Sequence, residues 1–262
     1  SRQVFFVNWD GEKQQLHITE LPPLPMPLDN LSATYADGCL YVAGGKGKPQ
    51  TVPIGQDGSQ TAPTNPLFSL QLTPSLQKEW VRLPDFPGPA RIQPVLTAQQ
   101  SEDGIRLYLA GGFQPASAHQ EAIVCTDMLS YHPKTKQWRN EGFLPSLAGG
   151  SHRTVTGGCA IASGDSSILL VGGVNYDRFR DALNHPEPDY LLHPADWYKF
   201  NTSLLQYNTF TKHWTHLGNY EELARAGAGI ANNANTVIII GGELKPGIHT
   251  PEVNAFKLTC HP

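Results

Sequence analysis

Three side chains capable of acid–base or ionic chemistry lie close together near the end of the chain. The segment GGELKPGIHT, residues 241–250, places the carboxylate of Glu243, the ammonium group of Lys245 and the imidazole of His249 around a Pro-Gly turn. A carboxylate and an imidazole that reach the same substrate can serve as the base and the acid of a proton transfer. A solvated turn is the alternative interpretation. The segment makes Glu243 and His249 candidate catalytic residues and Lys245 a candidate substrate-binding residue.

Four Gly-Gly pairs indicate the elements that must position this segment. Each follows a short apolar run (LYVA, LYLA, ILLV and VIII), and two aromatic spacings also repeat: Tyr131 precedes Trp138 by seven residues, as Tyr207 precedes Trp214. An apolar strand, Gly-Gly, a strand with Tyr, a turn and Trp is typical of a kelch-type blade of about 50 residues. We therefore predict an all-β, kelch-type β-propeller with these aromatic residues buried between blades. Glu243 follows an inner strand and is expected at the channel mouth.

We predict that residues 1–262 form a single propeller domain, which the repeats divide into successive blades. Residues 1–22 read as a hairpin with an Asp10-Gly11 turn, which is two strands of an incomplete blade. The successive repeats are predicted at residues 23–83, 84–141, 142–217 and 218–262. The last repeat lacks a fourth strand, and an unclosed ring would expose strand edges. We expect a segment upstream of Ser1, or a second chain, to complete the ring.

Two further segments depart from a minimal repeat. Residues 46–66 form a polar stretch rich in Gly, Pro, Gln and Thr, which is interpreted as an insertion. Residues 175–201 are long, aromatic and charged, with a helical pattern in YDRFRDAL. Long structured loops at such a place can be binding loops or lids. Close contact with its own blade is the other interpretation, and the sequence leaves both open.

Composition excludes several classes of partner. With 19 basic and 23 acidic side chains, the net charge is -4 and no basic stripe is visible, so we expect no nucleic-acid partner. No apolar run approaches the ~18 residues of a membrane helix, so we expect no membrane partner either. The chain has neither a phosphate-binding loop nor CxxC spacing, and we predict no cofactor and no metal. A disulfide stays open among the four cysteines, which are Cys39, Cys125, Cys159 and Cys260.

Several motifs, in the same order along the chain, resemble the N-acetylneuraminate epimerase (sialic acid mutarotase) family. The runs are LPDFPGPAR, YHPKTKQW, GGVN with the insertion ending DWYKFNTSLLQYN, and GGELKPGIHT. The last of these is similar to the family's GEAKPGLRT-like motif and is the most specific. The resemblance covers nearly the whole chain and implies a six-bladed kelch propeller. It also implies the circularly permuted branch of the family, with about 80 to 110 residues upstream of Ser1, and a periplasmic or secreted setting in a bacterium.

The resemblance also implies roles for individual residues. Glu243 matches the family's active-site glutamate, whereas His249 stands where the family has arginine. A histidine can carry a positive charge but cannot form arginine's bidentate fork. Arg91 matches an arginine of the family's FPGGPR-like stretch and is a candidate for binding the substrate.

The function that follows is interconversion of the anomers of a sialic acid by acid–base ring opening and closure, with a small sugar acid as the partner. In this interpretation, Glu243 is the acid–base group and His249 its partner or an anchor for the substrate carboxylate. Asn175, Trp197 and Tyr198 would line the pocket. The alternative is a non-catalytic kelch propeller that binds a glycan or a protein, because fold alone does not decide function.

Overall fold

The computed structural model describes most of the chain, in residues 2–47, 65–73, 79–147, 149–233 and 235–258. Most of the insertion interpreted at residues 46–66 lies outside the described residues, as does Cys260. The structural statements that follow concern the described residues.

The described chain opens with a hairpin of β1 (Val4–Asp10) and β2 (Gln15–Leu21), which pair antiparallel as predicted. The turn covers residues 11–14 and is longer than an Asp-Gly turn, because Asp10 still belongs to the strand and its carboxylate accepts the backbone N–H of Lys13 at 3.1 Å. Large apolar side chains on this hairpin are half exposed, including Phe5, Phe6, Val7, Trp9, Leu16 and Ile18. That further strands cover them stays a prediction.

Two four-stranded antiparallel sheets follow, in the orders β4-β5-β7-β8 and β9-β10-β13-β14. Short strands pair separately, β3 with β6 and β11 with β12. In chain order these strands are β3 (Leu28–Asp29), β4 (Ser32–Ala36), β5 (Cys39–Ala43), β6 (Lys46–Gly47), β7 (Leu67–Gln71), β8 (Val81–Leu83), β9 (Val95–Ser101), β10 (Gly104–Ala110), β11 (Phe113–Gln114), β12 (Ile123–Val124), β13 (Asp127–His132) and β14 (Gln137–Phe143).

A third sheet has the order β15-β16-β17-β18, and the fourth has three described strands, β19-β20-β23, while β21 pairs with β22. The strands are β15 (Cys159–Ser163), β16 (Ser167–Val171), β17 (Ser203–Asn208), β18 (His213–Asn219), β19 (Gly229–Asn233), β20 (Thr236–Ile240), β21 (Glu243–Lys245), β22 (Ile248–His249) and β23 (Val253–Lys257). The helices are α1 (Tyr176–Asn184) and the 3-10 helices Tyr190–Leu192, Ala195–Tyr198 and Glu221–Leu223. The repeat boundaries and the single domain stay a prediction, and β14 and β18 end two residues beyond the boundaries given above.

The Gly-Gly pairs end the second strand of each sheet for a steric reason. Gly172 and Gly173 have φ values of +66° and +88°, a region that favours glycine. A Cβ on Gly172 would lie 2.6 Å from the backbone oxygen of Arg225 in the next sheet. Glycine therefore allows two sheets to approach closely at this edge.

A chain of backbone hydrogen bonds links the four sheets. Gln93 N–H donates to Asn30 O at 2.9 Å, Gly157 N–H to Gln93 O at 3.0 Å, and Gly227 N–H to Gly157 O at 2.7 Å. All four residues have positive φ, from +54° to +69°. The same local conformation therefore recurs before the first strand of each sheet and repeats the contact with the previous sheet.

Apolar cores fill the spaces between neighbouring sheets. Tyr131 is buried between the first and second sheets, and Tyr207 between the second and third. Each tyrosine contacts the tryptophan seven residues later, Trp138 or Trp214, at ring distances of 5.0 and 4.8 Å. The predicted burial is confirmed for the two tyrosines, while Trp138 and Trp214 are partly buried and pack against the same cores. The first strands of successive sheets, β4, β9, β15 and β19, contact one another in that order. Sheets that pack face to face in this way form a β-propeller.

Candidate functional site

The segment that bears Glu243 and His249 forms a short hairpin, as the Pro-Gly turn indicates. Strands β21 and β22 pair antiparallel with Glu243 opposite His249, and Gly247 has a φ of +77° in the turn. The cross-strand position brings Glu243 Oε1 to 3.6 Å from His249 Nε2. The Glu243 side chain is 34% exposed and that of His249 71% exposed. A carboxylate and an imidazole are therefore adjacent and accessible, an arrangement suited to proton exchange with a bound molecule.

The backbone of Glu243 is fixed by the preceding connection of its own sheet. Glu243 N–H donates to Ala226 O at 2.7 Å, and Ala226 N–H donates to Glu243 O at 3.0 Å. Phe113 and Ile92 exchange the same pair of hydrogen bonds in the second sheet. Glu243 thus occupies a recurrent framework position directly after a Gly-Gly pair, where the fold holds its Cα and leaves its side chain free.

Lys245 connects this hairpin to the insertion of residues 175–201. Its Nζ donates hydrogen bonds to the backbone oxygens of His193, at 2.6 Å, and Leu191, at 3.1 Å. Two of the three ammonium hydrogens are therefore directed to the insertion. This arrangement makes Lys245 a residue that positions the insertion, and we propose no direct substrate contact for it.

The insertion is also held on its other side. Asn175 caps α1, its side chain accepting Arg178 N–H at 3.0 Å. At the end of α1, Asn184 Oδ1 accepts the backbone N–H of Ala122, from the second sheet's connection, at 2.7 Å. The insertion thus contacts the second sheet's connection on one side and the fourth sheet's hairpin on the other. The insertion therefore does not pack on its own blade alone, and its role as a binding loop or lid stays a prediction.

Trp197 and Tyr198 hold the insertion together from within. Tyr198 is 2% exposed, and its hydroxyl donates to Tyr190 O. The ring of Trp197 stacks on His193 at 3.9 Å, with the guanidinium of Arg178 at 4.5 Å from its centre. Burial leaves Tyr198 without a surface for a sugar, so we propose no substrate contact for it. Trp197 already has ring partners, and we propose a supporting role for it.

Two clefts border the insertion, and Asn175 lines both. One cleft, of about 560 Å³, is also lined by Leu147 and Ser151. The other, of about 730 Å³, extends to Asn201 and to Leu244, the residue after Glu243. Asn175 and the 243–249 hairpin therefore border the same open region, although the Glu243 side chain does not itself line either cleft.

Arg91 has a structural pairing. Its side chain is fully buried, donating to both carboxylate oxygens of Asp127 at 2.8 Å and to Gly111 O at 3.0 Å. Both Nη atoms are already paired, and Nε, which has no partner, is fully enclosed, so we propose no substrate contact for Arg91. The sequence motif that identified Arg91 contains no sign of Asp127, which lies 36 residues further along the chain.

Arg153 is a charged residue that the sequence did not single out. Its side chain is buried, and its Nε and Nη1 atoms are enclosed without a hydrogen-bond partner. Burial lowers the pKa of this guanidinium. Arg153 lies in the run SHRTVTGG, residues 151–158, which matches none of the motifs quoted above, so those motifs gave no signal for this residue.

Glu187, Asp189 and His193 form a group of potential metal ligands in the insertion. Their ligand atoms all lie within 4.8 Å of one another. The two acidic residues are exposed, and His193 stacks on Trp197. Exposed acidic groups of this kind are common without an ion, and we propose no metal here.

Four successive antiparallel sheets with Gly-Gly pairs and interleaved Tyr and Trp define a kelch-type β-propeller. A solved structure described as that of YjhT confirms this fold, with a TM-score of 0.68 at 24% identity over 91% of this chain and 67% of that one. A family model described as N-acetylneuraminate epimerase matches residues 21–261. The chain belongs to the N-acetylneuraminate epimerase family, which confirms the resemblance noted from its motifs.

Individual relatives agree with this assignment. An N-acetylneuraminate epimerase of Salmonella paratyphi B is 27% identical over 248 residues, which are 89% of this chain and 57% of the relative. One from Haemophilus influenzae is 29% identical over 243 residues, 87% of this chain and 60% of the relative. The chain thus spans less than two thirds of the length of these relatives. Within the described part of the chain, the helices lack the length and the apolar character of a membrane-spanning segment.

Proposed function

We propose that this protein interconverts the α and β anomers of a sialic acid, with N-acetylneuraminate as the first substrate to test. Family membership and the propeller fold support the proposal, and the relatives named above are N-acetylneuraminate epimerases. The observation that carries it within this chain is the proximity of Glu243 to His249, at 3.6 Å on an accessible hairpin. A periplasmic or secreted location stays a prediction.

The reaction needs proton transfer at two oxygens of the sugar. A base removes the proton of the anomeric hydroxyl, the bond between the anomeric carbon and the ring oxygen breaks, and an acid protonates that ring oxygen. The open-chain ketone then rotates, and the same ring hydroxyl attacks the opposite face of the carbonyl carbon. The proton transfers reverse, so no net proton, electron or group is consumed.

Glu243 and His249 suit these two steps. In the proposed arrangement, the carboxylate of Glu243 accepts the proton of the anomeric hydroxyl, and His249 either donates to the ring oxygen or orients Glu243. Their side chains face each other across β21 and β22, and in the proposed arrangement a substrate bound against this hairpin contacts both. The paired backbone of Glu243 and Ala226 fixes the Cα from which the carboxylate extends, and fixed geometry favours catalysis.

The insertion supplies the remaining contacts in this proposal. Asn175 borders both clefts, and although its side-chain oxygen caps α1, its amide nitrogen can donate to a sugar hydroxyl. Lys245 keeps the insertion beside the catalytic hairpin through its bonds to Leu191 and His193. Because the chain spans only part of the relatives' length, completion of the ring by a further segment or chain belongs to the same proposal.

The test is proton NMR of freshly dissolved α-N-acetylneuraminic acid, in which the anomeric signals are followed with and without the protein. We expect faster equilibration with the wild-type protein. Glu243→Gln should lose about 100-fold or more of the added rate, the usual contribution of a general acid–base group. Glu12→Gln, an exposed change in the first hairpin, should retain it. Binding of the sugar without any acceleration by the wild-type protein would instead support a non-catalytic binding module.

A further inference from the structure

Arg153 is a buried cation without a partner. It is 7% exposed, and neither Nε nor Nη1 has a hydrogen-bond acceptor. No ion pair reaches it from the described part of the chain. An unpaired buried charge is costly, so proteins rarely bury arginine without a counter-ion.

The buried arginines of the neighbouring sheets show what such a residue does when its role is structural. Arg91 binds Gly111 O at 3.0 Å and the carboxylate of Asp127 at 2.8 Å. In the fourth sheet, Arg225 Nη1 likewise donates to Gly241 O, in the first residue of the Gly-Gly pair, at 3.1 Å. Its Nη2 lies 3.4 Å from the carboxylate of Glu252. In both sheets, the guanidinium joins the Gly-Gly turn to an acidic residue at, or immediately before, the beginning of the sheet's third strand, β13 or β23.

The third sheet has replaced both members of this pair. Val174 N–H donates to Thr156 O at 3.0 Å, as Phe113 N–H does to Ile92 O in the second sheet. The residue before Thr156 is Val155, which therefore stands where the second sheet has Arg91. An apolar side chain thus occupies the position of the structural arginine.

The acidic position has changed as well. In the second sheet Asp127 precedes Met128, the partner of Ala110, and in the third sheet Ser203 precedes Leu204, the partner of Val171. Strand register therefore places Ser203 where the second sheet has its carboxylate. The third sheet lacks both the structural arginine and its acid.

Asn201 performs the structural task in their place. Its Nδ2 lies within hydrogen-bonding distance of three backbone oxygens, those of Gly172 at 3.2 Å, Val174 at 3.0 Å and Thr154 at 2.8 Å. The Gly-Gly turn is thus supported without a guanidinium. Arg153, two residues before Val155, is not needed for that support.

Neighbouring residues place Arg153 beside the open region already described. Ser151 lines the cleft of about 560 Å³, and the ring of His152 lies 5.1 Å from that of Tyr176 at the start of α1. Asn201, whose amide contacts Thr154 O, lines the cleft of about 730 Å³. Arg153 itself lines neither cleft, but it lies in the chain between Ser151, which borders the first cleft, and Thr154, whose backbone oxygen contacts Asn201 at the second.

We propose that Arg153 binds the carboxylate of the acidic sugar. A guanidinium is a charged donor for a carboxylate, and a ligand that reaches Nη2, the one nitrogen of Arg153 that is not enclosed, would supply the counter-ion that the described chain does not. This assignment also leaves His249 free for proton transfer, although it lacks the fork of the arginine that the family has at that position. The inference rests on the proposed function only for the identity of the acid.

The test compares the binding of N-acetylneuraminic acid and of its uncharged methyl ester by titration calorimetry. The wild-type protein should prefer the acid by roughly 10- to 100-fold, the range for hydrogen bonds to a charged group. Arg153→Gln should abolish that preference while leaving the affinity for the ester within about twofold, as expected when only the charged contact is lost. Arg82→Gln, which removes an exposed arginine paired with Asp85, should keep the preference. A preference retained in Arg153→Gln, or absent from the wild-type protein, would overturn the proposal.

Thermal unfolding distinguishes the loss of a ligand contact in Arg153→Gln from a loss of protein stability. Because Arg153 has no partner to lose, Arg153→Gln should leave the melting temperature of the unliganded protein unchanged or raised. A lowered melting temperature together with equal losses for acid and ester would overturn the proposal. Acid binding through Arg153 without any acceleration of anomerisation would support the anion site and reject the proposed function.

Discussion

The Nζ atom of Lys245 lies 2.6 Å from the backbone oxygen of His193 and thereby joins the Glu243–His249 hairpin to the insertion of residues 175–201. The same ammonium group reaches Leu191 O at 3.1 Å. Hydrogen bonds from a charged donor are among the stronger ones in proteins. The contact couples the position of residues 190–198 to that of Glu243.

Replacement of Lys245 by Met should therefore loosen the insertion without unfolding the sheets. We expect faster amide hydrogen exchange in residues 186–198 and a KM for the sugar raised about tenfold, the lower end of the range for a hydrogen bond from a charged group. Hydrogen–deuterium exchange with mass spectrometry and anomerisation kinetics measure the two effects. Lys257→Met, at an exposed lysine of β23, is the matched control and should change neither. An unchanged exchange pattern in Lys245→Met would show that the insertion is held by other contacts.

The ion pair of Arg91 and Asp127 should contribute strongly to stability. Asp127→Ala leaves a fully buried guanidinium without its counter-ion, which costs about 3–5 kcal/mol in the free energy of unfolding. Asp85→Ala breaks the exposed pair with Arg82 and should cost less than about 1 kcal/mol. Urea unfolding of both variants measures the difference. Equal losses would contradict the structural role given to Arg91.

Glu141 should make stability depend on acidity. Burial acts against its charged form, but hydrogen bonds from Ser130 and Arg139 prevail and hold the pKa of Glu141 below its usual range. A carboxyl group with a lowered folded pKa adds stability above its unfolded pKa of about 4.3, and the contribution is lost as the pH falls through the folded value.

The variant Glu141→Gln tests this sign. We expect its stability deficit relative to wild type to be constant above about pH 5 and to shrink below about pH 4. Thermal unfolding of the wild-type protein and of Glu141→Gln, between about pH 3 and pH 7 and under conditions where unfolding is reversible, measures the two curves of stability against pH. A deficit that grows as the pH falls would mean that the folded pKa is raised instead.

The thiols of Cys125 and Cys159 should be inert in the folded protein. Both are buried and free of disulfides, and burial raises the pKa of each thiol to about 11. Because the thiolate is the reactive form, neither should react with a disulfide reagent near pH 8 until the protein unfolds. Mass spectrometry of the native and urea-treated protein identifies the modified positions. Rapid native labelling of Cys159 would contradict its burial between the third and fourth sheets.

Much of the fold could be predicted from the sequence because its signals are local. The Gly-Gly pairs follow from a backbone that needs positive φ, and the spacing of Tyr131 and Trp138 follows from paired strands. Family membership could also be predicted, since the motif around Glu243 is short and contiguous.

The site could be predicted only in part, because its charges depend on distant partners. Arg91 looks like a binding residue until Asp127 is placed beside it. Tyr198 looks accessible until a 3-10 helix buries its ring against Tyr190. The role proposed for Arg153 depends on the support that Asn201 gives to the Gly-Gly turn. These two residues are nearly a whole repeat apart in the chain, so no local motif connects them.

Exchange spectroscopy of N-acetylneuraminic acid at anomeric equilibrium is the measurement that bears on the proposed role of Glu243 in opening the sugar ring. This NMR measurement reports the rate of interconversion itself, independently of any net change in the anomer ratio. We expect exchange cross-peaks between the two anomers with the wild-type protein and with Glu12→Gln, and their loss with a folded Glu243→Gln protein. Cross-peaks of equal intensity in wild type and Glu243→Gln would contradict it.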